Sequence, residues 1–261
     1  MIFLRRVYTF WCLFWFFLPL VVFMPFFIGF HRKDTWPKGI YYLNKIWARV
    51  YFFCCFIPVE IERRFVPTDD RPYIYCANHS SYIDIITMGL VVHHQHAFVG
   101  KASLGKVPVF GYMYRRLHIA VEREKPSEAY KALLRMKQIV EHGKSIIMFP
   151  EGGIKTKNPP RLAHLKDGAF RVAIETQTPI IPVTIPYNWF LLKDDEKFLP
   201  IRHKTKAIVH TPIETKGLTL ADIPTLKEKY TEIIHRELDN YLPTFEHTTK
   251  YRKHLPQYST S

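Results

Sequence analysis

Asn78-His79-Ser80-Ser81-Tyr82-Ile83-Asp84 joins two apolar runs, Tyr73-Ile74-Tyr75-Cys76-Ala77 before it and Ile83 to Leu90 at its end. The first run is short and reads as a buried strand, the second as the start of an apolar helix, so the chain turns from strand to helix at His79. In a continuous helix, residues five apart are rotated by about 140° and do not face each other. His79 therefore belongs to the turn, where functional side chains often emerge. A carboxylate one turn away can fix its ring and tautomer, which makes His79 and Asp84 a base and its orienter. A plainer reading of the same residues is a capping box, Ser81-x-x-Asp84, with His79 incidental.

Farther along, Ser145 to Phe149 reads as a strand that delivers Pro150-Glu151-Gly152-Gly153, again an apolar run followed by an acid and glycines. Between the two, Ser127 is expected to cap a helix through His142 that buries Ala129, Leu133, Met136 and Val140 and ends at Gly143. Leu165 to Glu175 and Ile180 to Ile185 continue the alternation. Thr225 is expected to cap a closing amphipathic helix with Leu226, Tyr230, Ile233, Ile234 and Leu238 inward. Alternating strands and helices predict an α/β fold with a mixed, largely parallel sheet flanked by helices. The chain of 261 residues is long enough for one such core and an appendage.

These blocks resemble the PlsC-like 1-acyl-sn-glycerol-3-phosphate acyltransferase family, the lysophospholipid acyltransferases. The family's first block, NHxxxxD, matches Asn78, His79 and Asp84. Leu117-His118-Ile119-Ala120-Val121-Glu122-Arg123 keeps the apolar strand, acid and final Arg of the second block without its leading Gly. Phe149-Pro150-Glu151-Gly152-Gly153-Ile154 matches the third block up to Gly152, but its Thr and Arg are absent, which leaves Lys155 or Lys157 to supply the positive charge. Ile180-Ile181-Pro182-Val183-Thr184-Ile185 fits the fourth, and Gly100-Lys101, Pro108, Gly111 and Lys166-x-Gly168 look like connecting landmarks. The resemblance covers roughly residues 60 to 242, with the blocks in order, and implies a glycerolipid acyltransferase-like fold.

Composition points to an anionic partner. Lys and Arg number 37 against 23 Asp and Glu, a formal charge of +14. The excess is spread along the chain with no zinc-finger or RNA-recognition motif, so nucleic acid gives way to a membrane. Val7 to Phe30 is uncharged and long enough to cross a hydrocarbon core, which needs about 20 apolar residues. Arg5 and Arg6 precede it, and Arg32, Lys33 and Lys38 follow. Positive flanks at both ends, with Pro19 and Pro25 inside, favour a bent or re-entrant anchor over a one-way crossing. Ile40 to Pro58 mixes Tyr41, Tyr42, Trp47, Tyr51, Phe52 and Phe53 with Lys45 and Arg49, as an interfacial helix does. The resemblance likewise implies a two-helix membrane motif ahead of the catalytic domain. The expected organisation is residues 1–60 as helical membrane anchor, 61–245 as acyltransferase domain and 246–261 as a polar tail. The protein is placed at the cytoplasmic membrane with its catalytic domain facing the cytoplasm.

Other features take plain readings. Cys12, Cys54, Cys55 and Cys76 lack metal-ligand spacing and read as reduced packing residues. His93-His94-Gln95-His96 lacks a nearby carboxylate or Cys, and no metal is expected. Neither a Gly-x-Ser-x-Gly elbow nor a P-loop is present. The implied chemistry is transfer of an acyl group from a thioester, acyl-CoA or acyl carrier protein, to the hydroxyl of an anionic lysophospholipid, foremost 1-acyl-sn-glycerol 3-phosphate. No other cofactor is expected. Alternative acceptors are glycerol 3-phosphate and lyso-ornithine or lyso-glycine lipids; with water as acceptor the same residues would make a hydrolase. His79 is expected as general base and Asp84 as its orienter. By resemblance, Lys101 and Arg123 contact the head group, Glu151 binds the acceptor hydroxyl or organises its loop, and Gly152 and Gly153 let backbone N–H groups approach the substrate.

Overall fold

The computed structural model describes residues 2–31, 36–93, 95–108, 110–122, 125–194 and 198–241. The expected tail, His94 and Arg123 lie outside the described residues. Seven strands form one sheet: β1 (Val59–Arg63), β2 (Ile74–Ala77), β3 (His96–Lys101), β4 (Ile119–Val121), β5 (Ser145–Met148), β6 (Ile180–Thr184) and β7 (Thr205–Val209). Their order is β1-β7-β6-β2-β5-β3-β4. All neighbours run parallel except β6 and β7. Pro182 of β6 stands opposite His210 where that antiparallel pairing begins: its carbonyl accepts the His210 N–H at 3.0 Å, and without an N–H of its own it returns no bond.

The helices are α1 (Ile2–His31), α2 (Trp36–Cys54), α3 (Ile83–Val91), α4 (Phe110–Leu117), α5 (Pro126–Glu141), α6 (Gly168–Glu175), α7 (Asn188–Leu191) and α8 (Ile223–Asp239). Strand periodicity sorts β2 onto two cores. Ile74 and Cys76 pack with Met136 of α5, Phe170 of α6 and Tyr230 of α8, while Tyr75 and Ala77 pack with Met88 and Val91 of α3. With helices on both faces, every residue of β2, β5, β6 and β7 is buried, which explains the largely apolar character of β2, β5 and β6, while in β7 the buried Lys206 is paired with Glu60 and Glu62.

Two helix starts differ from expectation for one reason. Proline in the first turn lacks an N–H that would have no helical partner there, so it opens a helix readily. Pro126 and Pro224 take those positions, and α5 and α8 begin ahead of Ser127 and Thr225. The capping box falls one turn earlier, on Thr219 and Asp222 of a short 3-10 helix. Within α8, Leu226, Tyr230, Ile234 and Leu238 are buried and Ile233 is partly so.

At the N-terminus α1 runs through both Pro19 and Pro25 without a break. Its 30 residues give a length of about 45 Å. Ile2–Phe26 has a mean hydropathy of 2.1 and is long and apolar enough to cross a membrane. Tyr8 Oη donates to Cys55 O, Trp11 Nε1 to Cys54 O and Trp47 Nε1 to Phe16 O, so α1 and α2 form an antiparallel hairpin. The hairpin shares a core with the α/β part: Leu20, Trp47, Ala48 and Phe52 are buried in one cluster with Ile83, Ile86 and Leu90 of α3. Its outward face leaves Phe3, Leu4, Val7, Phe10 and Phe14 exposed.

Candidate active site

Cys76 of β2 lies level with Met148 of the adjacent parallel strand β5. Both chains leave the sheet at their carboxyl ends, so the turn after β2 and the loop after β5 emerge side by side, where open α/β sheets bind ligands. Three residues past the paired positions stand His79 and Glu151.

His79 Nδ1 lies 3.0 Å from Asp84 Oδ2. The same oxygen accepts the backbone N–H groups of Ser80 and Ser81, each at 2.8 Å. Asp84 thus makes the acid half of the capping-box reading, satisfying N–H groups ahead of α3, and also holds the imidazole, while the Asp84 N–H donates to Ser81 O rather than to its hydroxyl. Ser81 Oγ donates to Leu192 O and Asn78 is locked to Ile185 through both amide atoms, at 2.9 and 2.7 Å. The Phe149 ring stacks on His79 with centroids 4.0 Å apart and planes 19° apart. Asp84 is fully buried, whereas His79 keeps 8% of its surface on the wall of a cavity. With Nδ1 turned to the carboxylate, Nε2 is the atom left to exchange a proton with a substrate.

Glu151 is 1% exposed, and burial pushes its pKa up to about 7 against the lowering effect of two backbone donors. These donors are the N–H of Ala163 to Oε2 at 2.8 Å and that of His79 to Oε1 at 2.7 Å. Both oxygens are thus spent on the framework, and Glu151 is absent from the described cavity lining. Of its two expected roles the geometry favours organising the loop over touching the acceptor. Gly152 and Gly153 do line the cavity, at φ 75° and 145°, backbone that only glycine adopts easily. The N–H of Gly152 donates to Phe149 O and is already used within the turn.

The cavity measures about 710 Å³ and has both apolar and charged lining residues. Trp47, Ala48, Ile85, Phe98, Phe110 and Met113 contribute apolar lining, and Lys101, Lys106, Lys155 and Lys166 contribute cations, with Glu122 and Asp194 as the carboxylates. Lys155 lines it and Lys157 does not, which separates the two candidates for the missing Arg. Sequence reading missed four contributors. Lys106 carried no motif, Phe149 was visible only as the residue before Pro150, and Trp47 and Ala48 were assigned to an anchor rather than to the site.

Among the described residues no group of His, Cys, Asp and Glu side chains could hold a metal ion. The four cysteines are free, and three of them are buried.

An acyltransferase family model matches residues 58–186. The chain is 37% identical over 131 residues to the 1-acyl-sn-glycerol-3-phosphate acyltransferase of Haemophilus influenzae, covering 48% of this chain and 53% of that one. It is 28% identical over 191 residues to a chloroplastic 1-acyl-sn-glycerol-3-phosphate acyltransferase of Brassica napus, covering 72% and 54%. The chain spans about half the length of these curated relatives. In fold it is similar to the crystal structure of the 1-acyl-sn-glycerophosphate acyltransferase PlsC from Thermotoga maritima, with a TM-score of 0.75, 21% identity and coverage of 90% and 96%. Residues 58–186 therefore form a domain of the acyltransferase family, and the fold around them is similar to that of PlsC.

Proposed function

We propose that the protein transfers a fatty acyl group from a thioester to the free hydroxyl of 1-acyl-sn-glycerol 3-phosphate, forming phosphatidate. The observation that carries this reading is His79, paired with Asp84, on the wall of a cavity lined by both apolar side chains and lysines. An acceptor with a hydrocarbon chain and a phosphate needs both kinds of lining. His79 Nε2 takes the proton as the hydroxyl oxygen bonds to the thioester carbonyl, and Asp84 stabilises the resulting imidazolium. Collapse of the tetrahedral intermediate breaks the carbon–sulfur bond, and the leaving thiolate takes up the proton. Lys101 and Lys155 face the phosphate, with Arg123 joining them by family resemblance. The donor is acyl-CoA or acyl carrier protein.

The α1–α2 hairpin holds the enzyme in the cytoplasmic membrane, its α/β part on the cytoplasmic side. The outward apolar face of α1 and the cations Lys45 and Arg49 of α2 support this placement.

Purified protein in detergent or vesicles, offered an acyl thioester and a panel of acceptors, tests the activity. Mass spectrometry should find phosphatidate when the acceptor is 1-acyl-sn-glycerol 3-phosphate. Acylated glycerol 3-phosphate or aminolipid in its place reassigns the acceptor, and free fatty acid formed without an acceptor indicates a hydrolase.

A further inference from the structure

A second cavity, of about 260 Å³, lies beside the first, among α2, the start of β3, the end of α4, and α5. Asn44 and His118 line both cavities. Arg116, Arg135, Lys144 and the Gln138 amide line the second, which has no carboxylate among its described lining residues. Arg116 leans on Tyr112, donating to its hydroxyl with its guanidinium 4.2 Å from the ring centroid, whereas Arg135 and Lys144 form no ion pair among the described residues. Like charges around a hollow repel one another unless an anion lies between them. Guanidinium groups match phosphate oxygens in particular. At about 30 Å³ per water, the hollow has room for a phosphate or diphosphate group.

The acyl-transfer reading, on which this second site depends, brings two phosphates to the protein. The acceptor's phosphate is only a few bonds from the hydroxyl that reacts, so it stays in the cavity with His79, and His79 does not line the second. The donor's phosphate is different. A pantetheine arm with a pair of amide bonds separates it from the thioester. We propose that the second cavity binds the phosphate at the far end of the donor's pantetheine arm, with Arg135 and Lys144 as its contacts and Asn44 and His118 flanking the passage to the reacting carbonyl. His118 suits that passage. Its Nδ1 accepts the Phe98 N–H at 3.2 Å, which leaves the ring proton on Nε2. Burial, assisted by His96, holds its pKa down to about 3, so the ring stays neutral and offers a donor suited to an amide carbonyl.

The test is the Arg135→Ala, Lys144→Ala double variant of the full chain, assayed with acyl-CoA, acyl carrier protein and an acyl N-acetylcysteamine thioester that lacks phosphate. The KM of a phosphate-bearing donor should rise about 10-fold or more, as loss of charge-assisted contacts implies. The KM values of the phosphate-free thioester and of the acceptor should move less than about 2-fold. Whichever of acyl-CoA and acyl carrier protein shows the rise identifies the source of the phosphate. No rise with either, an equal rise with the phosphate-free thioester, or a loss carried by the acceptor's KM overturns the proposal. Calorimetry with 4′-phosphopantetheine reads the cavity without turnover and so separates this proposal from the transfer reading. Binding by the wild type that the double variant loses supports it; equal binding by both, or by neither, sinks it.

Discussion

The backbone N–H of His79 donates to Glu151 Oε1 at 2.7 Å, so the histidine of one motif is held in place by the acid of the next. Parallel pairing of β2 with β5 sets this contact, because it brings positions three residues past Cys76 and Met148 to the same level. In the proposed mechanism Glu151 acts as a positioning residue. Glu151→Gln offers one acceptor where two backbone donors need one each, and a buried N–H left unpaired costs about 1–3 kcal/mol. Its kcat should fall about 10-fold or more, with the acceptor's KM changed far less. A drop confined to acceptor KM would return Glu151 to the substrate.

Glu151 also makes stability depend on pH. Its folded-state pKa of about 7 lies above the ordinary carboxylate value, so between about pH 4.5 and 7 the native protein keeps a proton that the unfolded chain releases. This contribution is fully present below that window and is lost as pH rises through 7. Denaturant melts from pH 4.5 to 8 should show a falling term that Glu151→Gln lacks. Identical pH slopes for the two proteins would contradict the assigned shift.

Head-group binding separates two lysines that the sequence left equivalent. Lys155→Ala removes a cation from the cavity wall and should raise the acceptor's KM about 10-fold, whereas Lys157→Ala should leave it within about 2-fold. Steady-state kinetics with each substrate varied in turn makes the comparison. A larger effect at Lys157 would place the head group outside the cavity.

The strand-turn-helix around His79 was legible because it is local: strand and helix periodicities meet there, and a carboxylate lies one turn on. Ser127 and Thr225 were plausible caps that lost to prolines nearby. The stacking of Phe149 on His79 could not be read, since it depends on β2 and β5 being neighbours across some seventy residues of chain. The same holds for Trp47 and Ala48. An amphipathic helix with aromatic and basic residues reads as interfacial, and only tertiary packing reveals that part of its apolar surface lines the cavity.

That packing changes what truncation should do. Cutting the chain at residue 58 is the natural choice from sequence, but it bares Ile83, Ile86, Leu90 and Trp189, which are buried with the hairpin. Each large side chain uncovered forfeits about 1.5–3 kcal/mol, against a typical total stability of about 5–15 kcal/mol. The truncated protein should aggregate or unfold well below the melting temperature of the full chain, as followed by circular dichroism. A soluble fragment with an unchanged melting temperature would show that the α/β part stands alone.

Removal of the acceptor's proton by His79 is tested most directly by the phosphatidate-forming kcat of His79→Ala. The variant should retain the circular dichroism and membrane association of the wild type while kcat falls about 10²- to 10⁴-fold, the usual worth of a positioned base. Asp84→Asn, which disturbs the imidazole's tautomer, should fall in the same direction. A folded His79→Ala protein that turns over at near the wild-type rate would contradict the assignment of His79 as base and leave Asp84 with only its capping role.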